Sequence, residues 1–453
     1  MEESNYYLEK APIGKAIANL SIPIMVGMSI SVIYNIVDAF FIGMLHNSNM
    51  LAAVSLSLPI FAVFMAIGNL FGIGCGTYIS RLLGEKKYDK LKNASSFSFY
   101  ISIAIGVICI ICSIPFINFI VSGLGANADI FSYTKEYIVV MIIGGPFIIL
   151  NFTLEQIVRS EGAAKVSMIG ITLSCVINMI LDPILIIFFK LGVTGAALGT
   201  LIGNIISVLY FMFYITKKSS VLSVRIKDFK ITKDILSNTF KIGIPAFILS
   251  FFLIISSLLL NNFSALYGDK ALAGFALQSR ITQLPEFIAM GLAEGIVPLI
   301  AFNYAAKNNE RLVKAIKQTV FYILVIVVCI SGLIYIFSSD IIRLFSQDYE
   351  VINIGTYILR VTLISTFFSG ITTLIVGMFQ AFGKGKQAFV MSITQGTLFI
   401  PILVVCNSLF AFHGLVWSLP LTEICTFIVA VALLIPLRGE LSANKSCELI
   451  KEG

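Results

Sequence analysis

The sequence predicts an all-α polytopic membrane protein: twelve transmembrane helices in two six-helix bundles related by a pseudo-twofold axis. Three observations carry that prediction. First, 58% of the residues are apolar and only 12% charged, with a mean hydropathy of +0.97, far outside the range of soluble domains. Second, apolar runs recur at 14–43, 50–80, 95–121, 132–158, 166–190, 193–216, 236–264, 271–303, 316–338, 351–381, 387–411 and 414–436. Each meets the roughly 20 helical residues a bilayer core demands. They are much longer than the ~10-residue alternating segments of a membrane barrel and show no period of two. Third, the second half of the chain repeats the first.

Shifted by about 220 residues, "SIPIMV" from Ser21 meets "GIPAFI" from Gly243, and "MLAAVS" from Met50 meets "ALAGFA" from Ala271. "RSEGAAK" from Arg159 then meets "QAFGKGK" from Gln380, and "VTGAAL" from Val193 meets "FHGLVW" from Phe412. An ordered series at nearly constant offset marks a duplicated unit. The expected domains are an amino-terminal lobe, 1–216, a cytoplasmic linker, 217–235, and a carboxy-terminal lobe, 236–453, ending in a short cytoplasmic tail. Six spans per unit start both halves on the same membrane face, the parallel-repeat plan of secondary transporters with a cavity between halves.

Taken in order, the polar amino terminus "MEESNYYLEKAPIGK" precedes a run too long for a signal-peptide core of about 7–15 residues, so the first helix is expected to stay in the mature protein. Pro23, Pro59, Pro245 and Pro298 read as bend points and "FGIGCG" from Phe71 as a place where helices approach closely. Glu155 and Arg159, four apart near the cytoplasmic end of the fourth span, read as a structural ion pair. The longest inner loop, "TKKSSVLSVRIKDFKITK", is expected to be a solvated, lipid-facing connector. His46 and His413 fall in outer loops with no special role expected. Of eight cysteines, seven lie inside spans and Cys447 in the tail, a distribution that predicts packing rather than disulfides or a metal site.

The net charge of +7 is explained by position. Of 31 Lys and Arg residues, 25 fall on the side shared by the termini, four on the other side (Lys135, Lys190, Lys270, Arg343) and two, Arg280 and Arg360, within spans. That asymmetry predicts a multi-pass protein of the cell membrane with both termini cytoplasmic, and it argues against nucleic acid as a partner. No P-loop pattern occurs, and "GKGK" at 383–386 has no strand before it, so ATP is not expected to bind. Nor is there a nucleophile–base constellation within the spans, so no enzyme activity is expected.

What remains is a small set of polar residues at membrane depth, where each ionisable group costs about 2.5–3.5 kcal/mol on insertion scales. In "NMILDPILIIFF" Asn178 and Asp182 are four apart and share a helix face, while Pro183 crowds the carbonyl of Met179. Asp38 and Thr200 fall at a similar depth on the first and sixth spans. Two carboxylates, an amide and a hydroxyl in one slab suit a hard monovalent cation such as Na⁺, or a shared proton. At the repeat-related positions Asp38 faces Leu260 and Asp182 faces Ile400, so these acids are not shared scaffold. Within "QLPEFIAMGLAEG", Glu286, Met290 and Glu294 lie on one face of the eighth span, with Arg280 nearer its outer end. A methionine between acids suits adaptable contact with apolar cations; pairing of either acid with Arg280 or Arg360 is the structural alternative.

Together, "SVIYNIVDAFFIG", "GNLFGIGCGTYISRLLG", "NMILDPILI", "VTGAALGT", "KIGIPAF" and "MGLAEGIVPLIAFNY" resemble the multidrug and toxic compound extrusion (MATE) transporters over nearly the whole chain. The resemblance implies two six-helix lobes in a V and export of mostly cationic, amphipathic compounds against an inward Na⁺ or H⁺ gradient. It implies an ion site matching Asp38, Asn178, Asp182 and Thr200. Acids carried on the seventh and tenth helices by some branches have no counterpart here. The expected partners are cationic small molecules and membrane lipid, the coupling ion is the only cofactor-like species, and a monomer is expected. A flippase for a lipid-linked headgroup is the alternative function, although its phosphate would call for more basic residues than Arg280 and Arg360.

Overall fold

The computed structural model describes residues 2–44 and 47–449, with side chains described for 6–38, 40–44 and 47–437. His46 and the side chain of Cys447 lie outside the described residues. Every regular element among the described residues is helical. The long apolar helices are α1 (Ile13–Gly43), α2 (Ser48–Gly84), α3 (Tyr88–Gly123), α4 (Ala128–Ser160), α5 (Ala164–Phe188), α6 (Gly192–Lys217), α7 (Lys233–Ala265), α8 (Asp269–Ala305), α9 (Asn309–Ile336) and α10 (Tyr349–Ala381). A last run, Gly385–Leu437, is broken by the non-helical backbone of Ala411 (φ 48°, ψ −129°). The break leaves α11, 385–410, and α12, 412–437. The expected helices are present, in their expected order.

Local chemistry sets the ends. Asn47 caps α2 by accepting from the Asn49 amide at 3.0 Å, Asn127 caps α4, and Asp348 caps α10 through the Glu350 amide at 2.8 Å. Pro298 does not merely bend α8. The α-helical segment stops at Gly295 and a new one begins at Val297, with Pro298 in its first turn, where a missing N–H costs nothing.

Two compact units result. One comprises Val26–Phe247 with the residues up to Tyr6, and the other comprises Tyr7–Met25 with Ile248 onward. The division passes through α1 and α7, not through the connector. In the amino-terminal unit α2 packs on α4, and α6 packs on both α4 and α5, around a core that includes Phe64, Ile138, Met141 and Ile149. The glycines of "FGIGCG" permit close packing as expected: a Cβ on Gly74 would lie 2.3 Å from the Thr239 carbonyl oxygen, and one on Gly243 would lie 2.2 Å from that of Leu70. In the carboxy-terminal unit α8 packs on α10, and α10 on α12. The start of the chain is tied into this second unit by Arg311, which donates to the carbonyls of Tyr7, Leu8 and Ala11, while Ser21 donates to the Leu292 carbonyl at 3.1 Å.

The connector departs from the expectation of a solvated, lipid-facing segment. Val221, Leu222 and Ser223 are buried. Ser95 donates to the Ser223 carbonyl at 3.0 Å, Ser96 to that of Arg225 at 2.9 Å and Tyr100 to that of Val224 at 3.0 Å. Phe229 stacks on Phe97. Serine hydroxyls on α3 thus satisfy the extended backbone that water would otherwise have to solvate. At the turn after α4, Glu161 is buried, and its carboxylate accepts from Ser219 at 2.7 Å. Glu155 and Arg159 lie 3.9 Å apart at the end of α4, the ion pair that their spacing predicts.

Burial pushes the Glu161 carboxyl up from its ordinary 4.5 to about 7, with hydrogen bonds from Tyr214 and Ser219 acting in the opposite direction. The folded value lies above the unfolded one. The stability this group contributes is therefore fully present below about 4.5 and is lost as pH rises through about 7. Backbone amides of 219–225 are expected to exchange faster at pH 8 than at pH 5, after correction for intrinsic rates, and Glu161→Gln should flatten that dependence. Equal pH dependence in the two proteins would show that Glu161 does not hold the connector.

Candidate ion and substrate sites

The polar cluster of the amino-terminal unit is built on α5. Its α-helical part ends at Asp182, and Pro183–Phe188 continue as a π-helical turn. Pro183 has no N–H for the carbonyl of Met179, and the widened turn that follows closes with the Phe189 amide donating to the Ile184 carbonyl at 2.9 Å. Such a turn re-aims side chains at its start. Asp182 is fully buried and Asn178 and Thr200 are nearly so, whereas Asp38 on α1 is half-buried.

All four predicted residues meet. The carboxyl groups of Asp38 and Asp182 lie within hydrogen-bonding reach of each other, a contact that one proton held between them would close. In the orientation that satisfies both of its ends, the Asn178 amide donates to Asp182 Oδ2 at 2.8 Å while its oxygen accepts from the Thr200 hydroxyl at 3.0 Å. Without the shared proton, two carboxylates would face one another with an amide and a hydroxyl alongside, an arrangement that attracts a small cation.

The structure adds residues the sequence did not single out. The phenolic hydroxyl of Tyr34 lies within hydrogen-bonding reach of Thr200 and within electrostatic range of both acids. It stands four residues before Asp38, so helical spacing alone could have found it. Tyr137 on α4 also faces both acids, but no local pattern signals a residue about 100 positions away. Gly199 packs directly against the pair: a Cβ there would sit 2.7 Å from Asp182 Oδ1. Below Thr200, Asn204 donates to its carbonyl at 2.8 Å and accepts from Asn151 at 2.9 Å, which joins α6 to α4.

The second predicted set lies on α8. Glu286, Met290 and Glu294 are half-buried, whereas Arg280 is exposed. Arg360 is engaged elsewhere, donating to Ser338 at 2.8 Å and lying 5.3 Å from the Tyr335 ring. Glu286 instead faces Glu423 of α12. Glu423 is an acid within a span, and the rule that singled out Glu286 applies equally to it.

The chain matches the MatE family model twice, over residues 23–184 and again over 245–405, in keeping with a duplicated unit. It is 46% identical over 451 residues, 99% of each chain, to the protein named "Multidrug export protein MepA" of Staphylococcus aureus (strain NCTC 8325 / PS 47). It is 44% identical over 446 residues, 98% of each, to the protein of the same name from Staphylococcus haemolyticus (strain JCSC1435). Among solved structures, a MATE crystallised in complex with MaL6 superposes with a TM-score of 0.91 over 98% of this chain and 100% of that one. The outward-facing conformation of a multidrug resistance MATE family transporter gives 0.90 over 98% and 99%. Each is 24% identical to this chain, a likeness in fold.

Proposed function

The chain belongs to the MATE family, and from that premise we propose that it is a secondary active multidrug exporter that expels amphipathic, mostly cationic compounds in exchange for inward-moving H⁺ or Na⁺. The observation that carries the proposal is the Asp38–Asp182 carboxyl pair, closed by Asn178 and Thr200. Binding and release of a cation change the charge of this pair in apolar surroundings. A state of the protein that solvates the bare carboxylates and one that encloses the loaded pair are therefore favoured in turn, which is the differential binding that coupling needs. An ion moving inward down the membrane potential contributes about 2.3 kcal/mol per charge per 100 mV, roughly fifty-fold in a concentration ratio. The face of α8 bearing Glu286, Met290 and Glu294, with Arg280 toward its outer end, supplies the contacts to substrate: carboxylates for the positive charge and a thioether for varied apolar surfaces.

Cells expressing the protein are expected to accumulate less ethidium than cells lacking it. The difference should vanish with an uncoupler if H⁺ is the coupling ion, or with a Na⁺ ionophore if Na⁺ is. Export that survives both treatments would overturn the coupling proposal.

The membrane orientation belongs to the same proposal, with both termini and the 217–235 connector on the cytoplasmic side of the cell membrane. Ser219 is committed to Glu161, so the exposed Ser220 is the better probe. A cysteine at Ser220 should resist an impermeant maleimide in intact cells and react once the cells are opened. Labelling from outside would reverse the assigned orientation.

A further inference from the structure

The internal repeat sets two hydrogen-bonded residues of the amino-terminal unit opposite two unpartnered ones in the carboxy-terminal unit. The alignment of "RSEGAAK" with "QAFGKGK" places Thr372 of α10 opposite Asn151, and that of "VTGAAL" with "FHGLVW" places Glu423 of α12 opposite Asn204. In the amino-terminal unit the two amides close on each other at 2.9 Å. In the carboxy-terminal unit Thr372 is fully buried, yet its hydroxyl has no hydrogen-bond partner, and neither does the buried Oε2 of Glu423. Glu286 of α8 faces Glu423. One turn outward on the same ridge, Thr282 receives the Gln278 amide at 3.0 Å, while the buried carbonyl oxygen of Gln278 is unpartnered.

From this arrangement we propose that Glu286, Glu423 and Thr372 form a cation-binding site inside the carboxy-terminal unit, separate from the Asp38–Asp182 pair. Its ligand is a cationic centre that takes oxygen ligands from α8, α10 and α12. A buried oxygen left without a partner costs about 1–3 kcal/mol, and those of Thr372 and Glu423 are reconciled by an occupant that they can ligate. The amino-terminal pair shows the same position closed by two neutral amides, Asn151 donating to Asn204 and Asn204 to the Thr200 carbonyl. Replacement of one amide by a carboxylate and the other by a hydroxyl removes that closure and adds negative charge. The charge is not met by either arginine within the spans, since Arg280 is exposed and Arg360 is turned to Ser338. Two sources supply such a cation: the positive head of an exported compound and the coupling ion. The site rests on the exporter reading above and extends it to Glu423 and Thr372.

The test uses purified full-length protein carrying Glu423→Gln, Glu286→Gln or Thr372→Val, with ethidium as probe. Ethidium affinity is followed by fluorescence polarisation, and ions moved per ethidium are followed in vesicles. If the site takes the drug's cation, each carboxamide variant weakens ethidium binding about tenfold or more, while the number of ions moved per ethidium stays at the wild-type ratio. If it takes the coupling ion, ethidium affinity holds but fewer ions move per ethidium exported. Either result supports the site. Unchanged affinity and unchanged ion-to-drug ratio in Glu423→Gln overturn it. Should Glu423→Gln fail to fold, Thr372→Val, which removes only the hydroxyl, decides the matter in the same way: a shift in either quantity supports the site and no shift in both overturns it. Failure of the exporter reading itself is distinguishable, because wild-type protein would then show no gradient-driven ethidium movement at all.

Discussion

Asp182→Asn and Asp38→Asn are each expected to abolish gradient-driven ethidium export in reconstituted vesicles, with the protein still folded and inserted. Asparagine keeps the shape of the side chain but cannot take up or release a proton and offers a cation no charge. Asp182 is fully buried, beside Asp38 on one side and accepting from Asn178 on the other. With one acid replaced, the pair is permanently bridged by a neutral amide, and the difference between loaded and unloaded states disappears. Transport at the wild-type rate in either variant would remove both acids from the mechanism and leave the cluster a structural hydrogen-bond network. Asn178→Ala should weaken coupling less severely, since it removes a neutral donor and leaves both charges in place.

Gly199→Ala is expected to produce the second-largest loss, from the smallest chemical change. A methyl group on Gly199 would lie 2.7 Å from Asp182 Oδ1, inside van der Waals contact, and the carboxyl cannot swing away without leaving Asp38 or Asn178. Alanine favours helix over glycine by roughly 1 kcal/mol, whereas overpacking a fixed neighbour costs about 1–3 kcal/mol. Either α6 shifts off α5 or the Asp38–Asp182 bond opens. Export should fall at least tenfold while stability falls by no more than about 2 kcal/mol, because the helix gain offsets part of the packing cost. Stability and transport both at wild-type levels would show that the close approach of α6 to Asp182 is not needed.

Much of this architecture is written in the sequence because a bilayer imposes simple rules. Apolar runs must be long, backbone groups must be satisfied within helices, and a carboxylate at depth stands out against its neighbours. The i,i+4 spacing of Asn178 and Asp182 and the similar depth of Asp38 and Thr200 make the amino-terminal cluster visible in the sequence. What the spacing left open was the direct contact of Asp38 with Asp182, since depth along separate helices says nothing of rotation about their axes. The connector misled for a related reason. "SSVLSVRIKDF" looks like solvated chain, and the serines that satisfy its backbone, Ser95 and Ser96, lie on a different helix more than 120 residues earlier. The same limit hid Tyr137, whose partners are on α1 and α5. Glu423, by contrast, is legible from its depth in the span, although it stands alone with no second acid at helical spacing.

The most direct test of the central claim is whether drug binding expels the ion. Ethidium added to purified protein in lightly buffered solution, or to protein equilibrated with radioactive Na⁺, should release H⁺ or Na⁺ in a saturable way that parallels ethidium binding. Asp182→Asn should bind ethidium and release nothing. Wild-type protein that binds ethidium with no release of either ion, at any pH or Na⁺ concentration tried, would contradict the coupling of export to the Asp38–Asp182 site.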